Sequence, residues 1–292
     1  MLKKPVIIGI ILLFLCSSSF SFVSCYKVST NNIIYVDDDG GADYTRIQDA
    51  IDNAIDGDTV FVFSGVYYEN VKMDKSIILV GEDRNSTIID GRNKGSVISV
   101  KVYSASIENF TIRNGTNGVA CAPYTPAIYR NIIISNNIII NNDKGIKSSY
   151  SENVNITGNI ISNSSYGITF YRVENSIIKG NYILSNKKIG ILFDLATIPG
   201  LGCDNNSVSY NIIQKNAIGI YLSFSGDHNI NYNNFYQNIV DASYNSAGRI
   251  DWNYNHWNRP RILPKPIIGT ILYYYPWINF DWHPAQEPYY IS

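Results

Sequence analysis

Arg172, Glu174, Asp194 and Asp204, with Lys179 close by, are the charged residues of this 292-residue chain whose spacing would allow a small acid/base cluster. Asp194 and Asp204 flank an insertion from Leu195 to Cys203, and Arg172, Glu174 and Lys179 lie one structural repeat earlier. Carboxylates that hold a cation beside a positioned base are what proton abstraction requires. The competing reading is solvated corner residues, because the surrounding sequence offers mainly Asn, Ser, Tyr and Ile. A second set suits recognition: Tyr171, Trp252, Trp257, Trp277 and Trp282 carry flat rings able to stack on the apolar faces of sugars.

Metal chemistry finds less support. Asp37, Asp38 and Asp39, followed by Gly40 and Gly41, could hold calcium, yet the run lacks the spaced acidic ligands of a calcium loop and reads as a turn. Copper needs several His, Met or Cys side chains together. His228, His256, His283, Met73 and the cysteines are scattered along the chain, so no metal and no cofactor is assigned.

These residues are positioned by a repeat. Asn137, Asn159, Asn181, Asn211 and Asn233 follow one another at spacings of 22, 22, 30 and 22, the 30 being one period plus an insertion. Two positions later stand Ile139, Ile161, Ile183, Ile213 and Phe235, and three earlier Ile134, Ile156, Ile178, Val208 and Ile230, so these columns must face a shared core. A further column reads Asn142, Ser164, Asn186, Asn216 and Asn238, and Gly145, Gly167, Gly190 and Gly219 each precede an isoleucine. A period of 22 residues accommodates about three short strands with tight turns and no helix of ordinary length. The leucine-rich repeat shares the period but needs framed leucines that are absent. The expected fold is all-β, a parallel β-helix of about 22 residues per rung and eight to nine rungs in all, whose stacked asparagines pair amide to amide.

The organisation divides at 1–24, 25–57, 58–247 and 248–292. Residues 1–24 read as a secretory signal peptide, with Lys3 and Lys4 before an apolar run too short to span a bilayer. Cleavage is expected between Ser21 and Cys25, and lipidation at Cys25 is a minor alternative because the usual upstream leucine is missing. Loss of Lys3 and Lys4 leaves 21 basic against 24 acidic residues and a net charge of −3, which offers nothing to nucleic acid. Nor is there a basic amphipathic segment for a membrane surface, and no transmembrane anchor follows the leader. An exported chain would permit a Cys121–Cys203 disulfide, though two separate buried thiols fit equally well. Sequons at Asn85, Asn109, Asn114, Asn155, Asn163 and Asn205 would suit export, but many are expected by chance in so asparagine-rich a chain.

Within 25–57, Ile47, Ala50, Ile51 and Ala54 mark a short amphipathic helix after a Thr45 N-cap, capping the open end of the coil. In 248–292, prolines and aromatics replace the repeat as an irregular cap over the other end, with sugar recognition as the competing role.

The run Tyr35-Val-Asp-Asp-Asp39, Tyr44-Thr-Arg-Ile-Gln-Asp-Ala-Ile51, Gly57-Asp-Thr-Val60 and Ile88-Ile-Asp-Gly91 resembles the opening of the pectin-lyase-like superfamily. The asparagine rungs are similar to carbohydrate-binding and sugar-hydrolase repeats, including the NosD type. The resemblance covers roughly residues 35 to 245, implies a right-handed, single-stranded parallel β-helix, and transfers no active site, since no catalytic motif of the superfamily is matched. Three functions follow as expectations. The favoured one is an exported, surface-associated, non-catalytic protein binding an extended carbohydrate. Stacked exposed aromatics in one column would support it. The alternatives are a polysaccharide lyase or hydrolase, and a NosD-like accessory with a protein partner, recognisable by a contiguous apolar patch.

Overall fold

A computed structural model describes residues 31–121, 129–194 and 202–291. The segment expected to be a leader, Cys25 and most of the insertion from Leu195 to Cys203 lie outside the described residues. The rest is a parallel β-solenoid of about ten turns, slightly longer than the expected eight to nine. One turn runs along Lys144–Thr157, bends at Tyr150 and Asn153, and closes through Ile160–Ser162. Successive turns pair in parallel register, as in Ile139↔Ile161, Ile161↔Ile183, Ile183↔Ile213, Ile213↔Phe235 and Phe235↔Trp257. The apolar columns read from the sequence are thus stacks along the coil, fully buried from Ile139 to Ile213. Each such side chain contributes about 1.5–3 kcal/mol by leaving water.

The ladder corners follow one rule. A residue in the left-handed region is followed by an inward polar residue that hydrogen-bonds the neighbouring turn, whereas at Asn109, Asn131, Asn153 and Arg172 the next residue is apolar. Asn136, Gly158, Gly180, Tyr210, Tyr232 and Tyr254 have φ between 55° and 67°, and each precedes a ladder asparagine. The ladder asparagines themselves do not take the left-handed conformation; the residue before each does. Asn159 accepts from the backbone N–H and the Nδ2 of Asn137 at 2.9 and 3.1 Å, and the pattern repeats through Asn181, Asn211, Asn233 and Asn255. A second ladder runs from Asn142 through Ser164, Asn186 and Asn216 to Asn238. The glycine column has a different cause: a Cβ on Gly145 would stand 2.6 Å from the carbonyl oxygen of Gly167 on the next turn, and one on Gly167 2.5 Å from that of Gly190.

Both ends depart from expectation. Ile33–Val36 already pairs in register with Thr59–Val62, so the coil begins before the helix. The helix spans Ile47–Asn53 with Arg46 at its N-cap position, and Thr45 does not cap it. Instead the carboxylate of Glu69 accepts from the N–H groups of Ile47 and Gln48 at 2.9 and 3.0 Å. At the other end the repeat runs past residue 247, because Ile250–Asn253 and His256–Trp257 form another turn on His228–Asn231 and Asn234–Tyr236. Only then does the cap begin, and it is less irregular than expected. Lys265–Ile271 and Tyr275–Asp281 form an antiparallel hairpin whose first strand joins Val240–Asn245.

Candidate functional site

The four charged candidates do not converge on one cleft. Arg172 and Glu174 line a recess of about 30 Å³ with Tyr150, Ser151 and Glu152, and the Arg172 guanidinium stands 5.0 Å from the centre of the Tyr150 ring. Glu174 is in register with Glu152, which pairs with Arg130 at 3.3 Å. Asp194 is in register with Tyr171, whose phenol is held above its usual pKa by burial and then by the Asp194 charge. Asp204 faces another recess, of about 300 Å³, shared with Asp227 and Arg249, where its Oδ1 accepts from the Gly226 N–H at 2.9 Å. Arg249 pairs with Asp227 at 2.9 Å. These groups are held by neighbours on the coil wall rather than aimed at a common point.

Two aromatic candidates need correction. Trp252 and Trp257 are buried, because they continue the inward columns of Ile230 and Phe235, and Trp257 stacks on Phe235 with centroids 4.3 Å apart. They cannot meet a ligand. Trp277 and Trp282 are exposed, and Tyr171 is half-buried beside Lys147. The aromatic arrangement absent from the sequence analysis is a column on the long side of the coil. Tyr210, Tyr232 and Tyr254 stack with centroids 5.2 and 5.3 Å apart and ring planes within 9° of parallel, extended by His283 beyond Tyr254 and by Lys179 above Tyr210. All three tyrosines sit at left-handed corners, where the earlier turns use Asn136, Gly158 and Gly180. That change of residue type at one repeat position was the available signal.

The C-terminal segment runs beside this column. Tyr289 stands edge-on to Tyr210 and Tyr232, Asn234 exchanges two hydrogen bonds with the Tyr289 backbone, and the Tyr182 hydroxyl donates to the Ile291 carbonyl. The wall therefore holds the C-terminal segment of its own chain.

Among the described residues the one group of three potential metal ligands is Asp37, Asp38 and Asp39. Asp38 accepts from the Val66 N–H at 3.0 Å, and the Asp37 Oδ1 accepts from the Asp39 N–H at 3.1 Å, as in a turn. The soft donors are dispersed. His228 is buried, its Nδ1 accepts from the Asn206 N–H, and burial pushes its pKa down to about 4. His283 contacts Asn253, Met73 lies in the N-terminal core, and His256 begins a strand of the last turn. Cys121 and Cys203 are free thiols, not a disulfide, each pushed up to about 12 by burial. Copper requires several such donors at one point, and this arrangement does not fit it. No helix among the described residues is long and apolar enough to cross a membrane.

Comparison with known proteins follows this geometry. A cell surface glycoprotein of Methanothermus fervidus is 34% identical over 96 residues, which is 32% of this chain and 16% of that protein. The chain thus matches about a sixth of that relative's length. Among solved structures, the GH136 lacto-N-biosidase of Eubacterium ramulus superposes with a TM-score of 0.61 at 16% identity, over 78% of this chain and 56% of the other. The A-module of the Azotobacter vinelandii mannuronan C-5 epimerase AlgE6 gives 0.54 at 13% identity, over 73% of each. At such identities the likeness is one of fold. The family described as periplasmic copper-binding protein (NosD) matches residues 51–270, most of the coil and the first strand of the hairpin, and the chain belongs to that family.

Proposed function

We propose that this protein works outside the cytoplasm, at a cell surface, as a non-catalytic β-helix that binds an extended carbohydrate along its long side. The observation that carries this reading is the column of Tyr210, Tyr232 and Tyr254. A bulky residue in the left-handed region costs roughly 1–2 kcal/mol; other corners also carry one, as at Tyr150, Arg172 and Phe224, but at this repeat position the earlier turns use Asn136, Gly158 and Gly180, and three successive tyrosines with stacked rings set the last turns apart. Because the rings face one another, they turn their edges outward and present a row of phenol edges at the spacing of one rung. A polymer lying along the coil would meet an equivalent group at each turn. The hydrogen bonds and ring contacts that hold the chain's own 289–291 segment beside the column support a wall able to hold a second chain. The glycoprotein relative and the periplasmic family description agree with the location. Dispersal of Arg172, Glu174, Asp194 and Asp204 over separate recesses speaks against lyase or hydrolase chemistry.

The test is a glycan array with the purified chain, with a parallel assay for unsaturated uronide on each hit. Binding without product is expected. Tyr232→Asn, which adopts the residue used at Asn136 on the same column, should keep the fold and lose at least tenfold in affinity. No binding to any acidic or neutral glycan would overturn the proposal, and product release would replace it with a lyase.

A further inference from the structure

The hairpin at the C-terminal end has an inverted pattern. On its first strand Ile267 and Gly269 are buried against the coil, while Pro266 and Ile268 face outward. Register places Phe280 opposite Pro266 and Ile278 opposite Ile268, so the outward face is built of Pro266, Ile268, Ile278 and Phe280, with Thr270 and Pro276 beyond them. A solvated sheet face carries polar side chains, and this one has a single threonine. The hairpin tip continues the apolar surface with Leu272, Tyr273 and Tyr274, the last 84% exposed, and the preceding loop adds Ile262 and Leu263, at 93% and 74%. A contiguous exposed apolar patch of this kind marks an interaction surface.

Charge identifies the occupant. Residues 258–280 contain Arg259, Arg261 and Lys265 and no acid. Lys265 is engaged with Asp241 at 3.5 Å. The two arginines line an open recess of about 490 Å³ together with Pro260, Ile262 and Leu263, and the buried Nε of Arg261 has no hydrogen-bond partner. Guanidinium groups match phosphate oxygens bidentately, and the two aliphatic side chains beside them suit hydrocarbon. The exposed Tyr273, Tyr274 and Trp282 of the hairpin segment are residue types that favour the boundary between water and lipid.

We propose that the C-terminal hairpin and the 259–263 loop dock the protein onto an anionic phospholipid surface. The arginines take the headgroup phosphates, Ile262, Leu263 and Tyr274 enter the outer acyl region, and the coil projects from the membrane. No transmembrane segment is needed, because attachment combines burial of apolar side chains with attraction to anionic headgroups.

The test uses the full chain and vesicles of phosphatidylglycerol mixed with phosphatidylcholine, against phosphatidylcholine alone. Co-sedimentation should favour the anionic vesicles at least tenfold at low salt, with a blue shift of tryptophan emission reporting the exposed Trp282, which packs on Phe280 of the outward face. The triple variant Ile262→Ser, Leu263→Ser, Tyr274→Ser should lose binding to both vesicles. Arg259→Gln with Arg261→Gln should abolish only the anionic preference. Both variants should keep the far-ultraviolet dichroism of the parent and any glycan binding, which separates this proposal from the one above. Three outcomes overturn it: no sedimentation with either vesicle, undiminished binding by the triple variant, or a concentration-dependent dimer that the triple variant abolishes, which would assign the face to a second copy of the chain.

Discussion

The smallest unit of this fold is a polar side chain inside a corner, and His228 shows what happens when that side chain can titrate. It occupies the column of Ser176 and Asn206 and does as they do, accepting a backbone N–H from the turn before. Burial pushes its pKa from 6.5 to about 4, so the folded protein keeps a neutral ring while the unfolded chain is protonated below 6.5. The stabilising contribution is therefore complete above pH 6.5 and is lost progressively as pH falls towards 4, by roughly 3 kcal/mol. His256, lowered by burial as well, acts in the same direction. Asp90 and Asp143, held below the usual carboxylate range, contribute stability that disappears only at more acidic pH. Denaturant titrations should find the chain markedly less stable at pH 4.5 than at pH 7. His228→Asn supplies the acceptor that Asn206 uses and should remove most of that difference; an unchanged pH dependence would show that the ring does not titrate as described.

At the scale of elements, the capping helix is held from outside itself. Seven residues are too few for an autonomous helix, and its first N–H groups are satisfied by Glu69 on the coil. Glu69→Ala should destabilise the protein by about 1–2 kcal/mol, and exchange of the Ile47 and Gln48 amides should quicken far more than that of the central turns. The sequence located this helix but misplaced its cap, since a partner 22 residues away leaves no local signature. Elements built on the period were readable because every turn repeats the same burial. The columns through Ile139 and Ile134 were visible, and so was the ladder. Asn255 stands 22 residues after Asn233, with Trp257 two positions on and Trp252 three before, so the last turn could have been counted. Aromatic composition masks it, because a core tryptophan and a ligand-stacking one read alike in the sequence. The tyrosine column is not legible in the sequence because its meaning lies in stacking between turns, nor is the hairpin, because a proline-rich segment does not announce a strand.

At the scale of the whole molecule, the asparagine ladder has a direction. Each side-chain oxygen accepts from the preceding turn, while the Nδ2 donates both back to a carbonyl of that turn and forward to the next ladder residue, as in Asn159 to Ile134 and to Asn181, so the stack reaches the last turn with its forward donors unsatisfied. Asp281 ends it: its Oδ2 accepts from the Asn255 N–H, the Asn255 Nδ2 and the Trp257 Nε1, all within 3.1 Å, in a fully buried site. A carboxylate suits this position because it only accepts. Asp281→Ala would leave three buried donors without a partner and should cost about 3–5 kcal/mol, whereas Asp281→Asn keeps one acceptor and should cost about 1–2 kcal/mol. The distribution of that loss tests how the molecule holds together. If turns interact chiefly with their neighbours, as in other solenoids, native-state hydrogen exchange in Asp281→Ala should show the opening free energy falling at the amides of Asn233 and Asn255 and remaining near the parent value at Asn137 and Asn159. An equal fall at every ladder amide would mean that the coil opens as one cooperative body, with the hydrogen-bonded stack transmitting the defect from the last turn to the first.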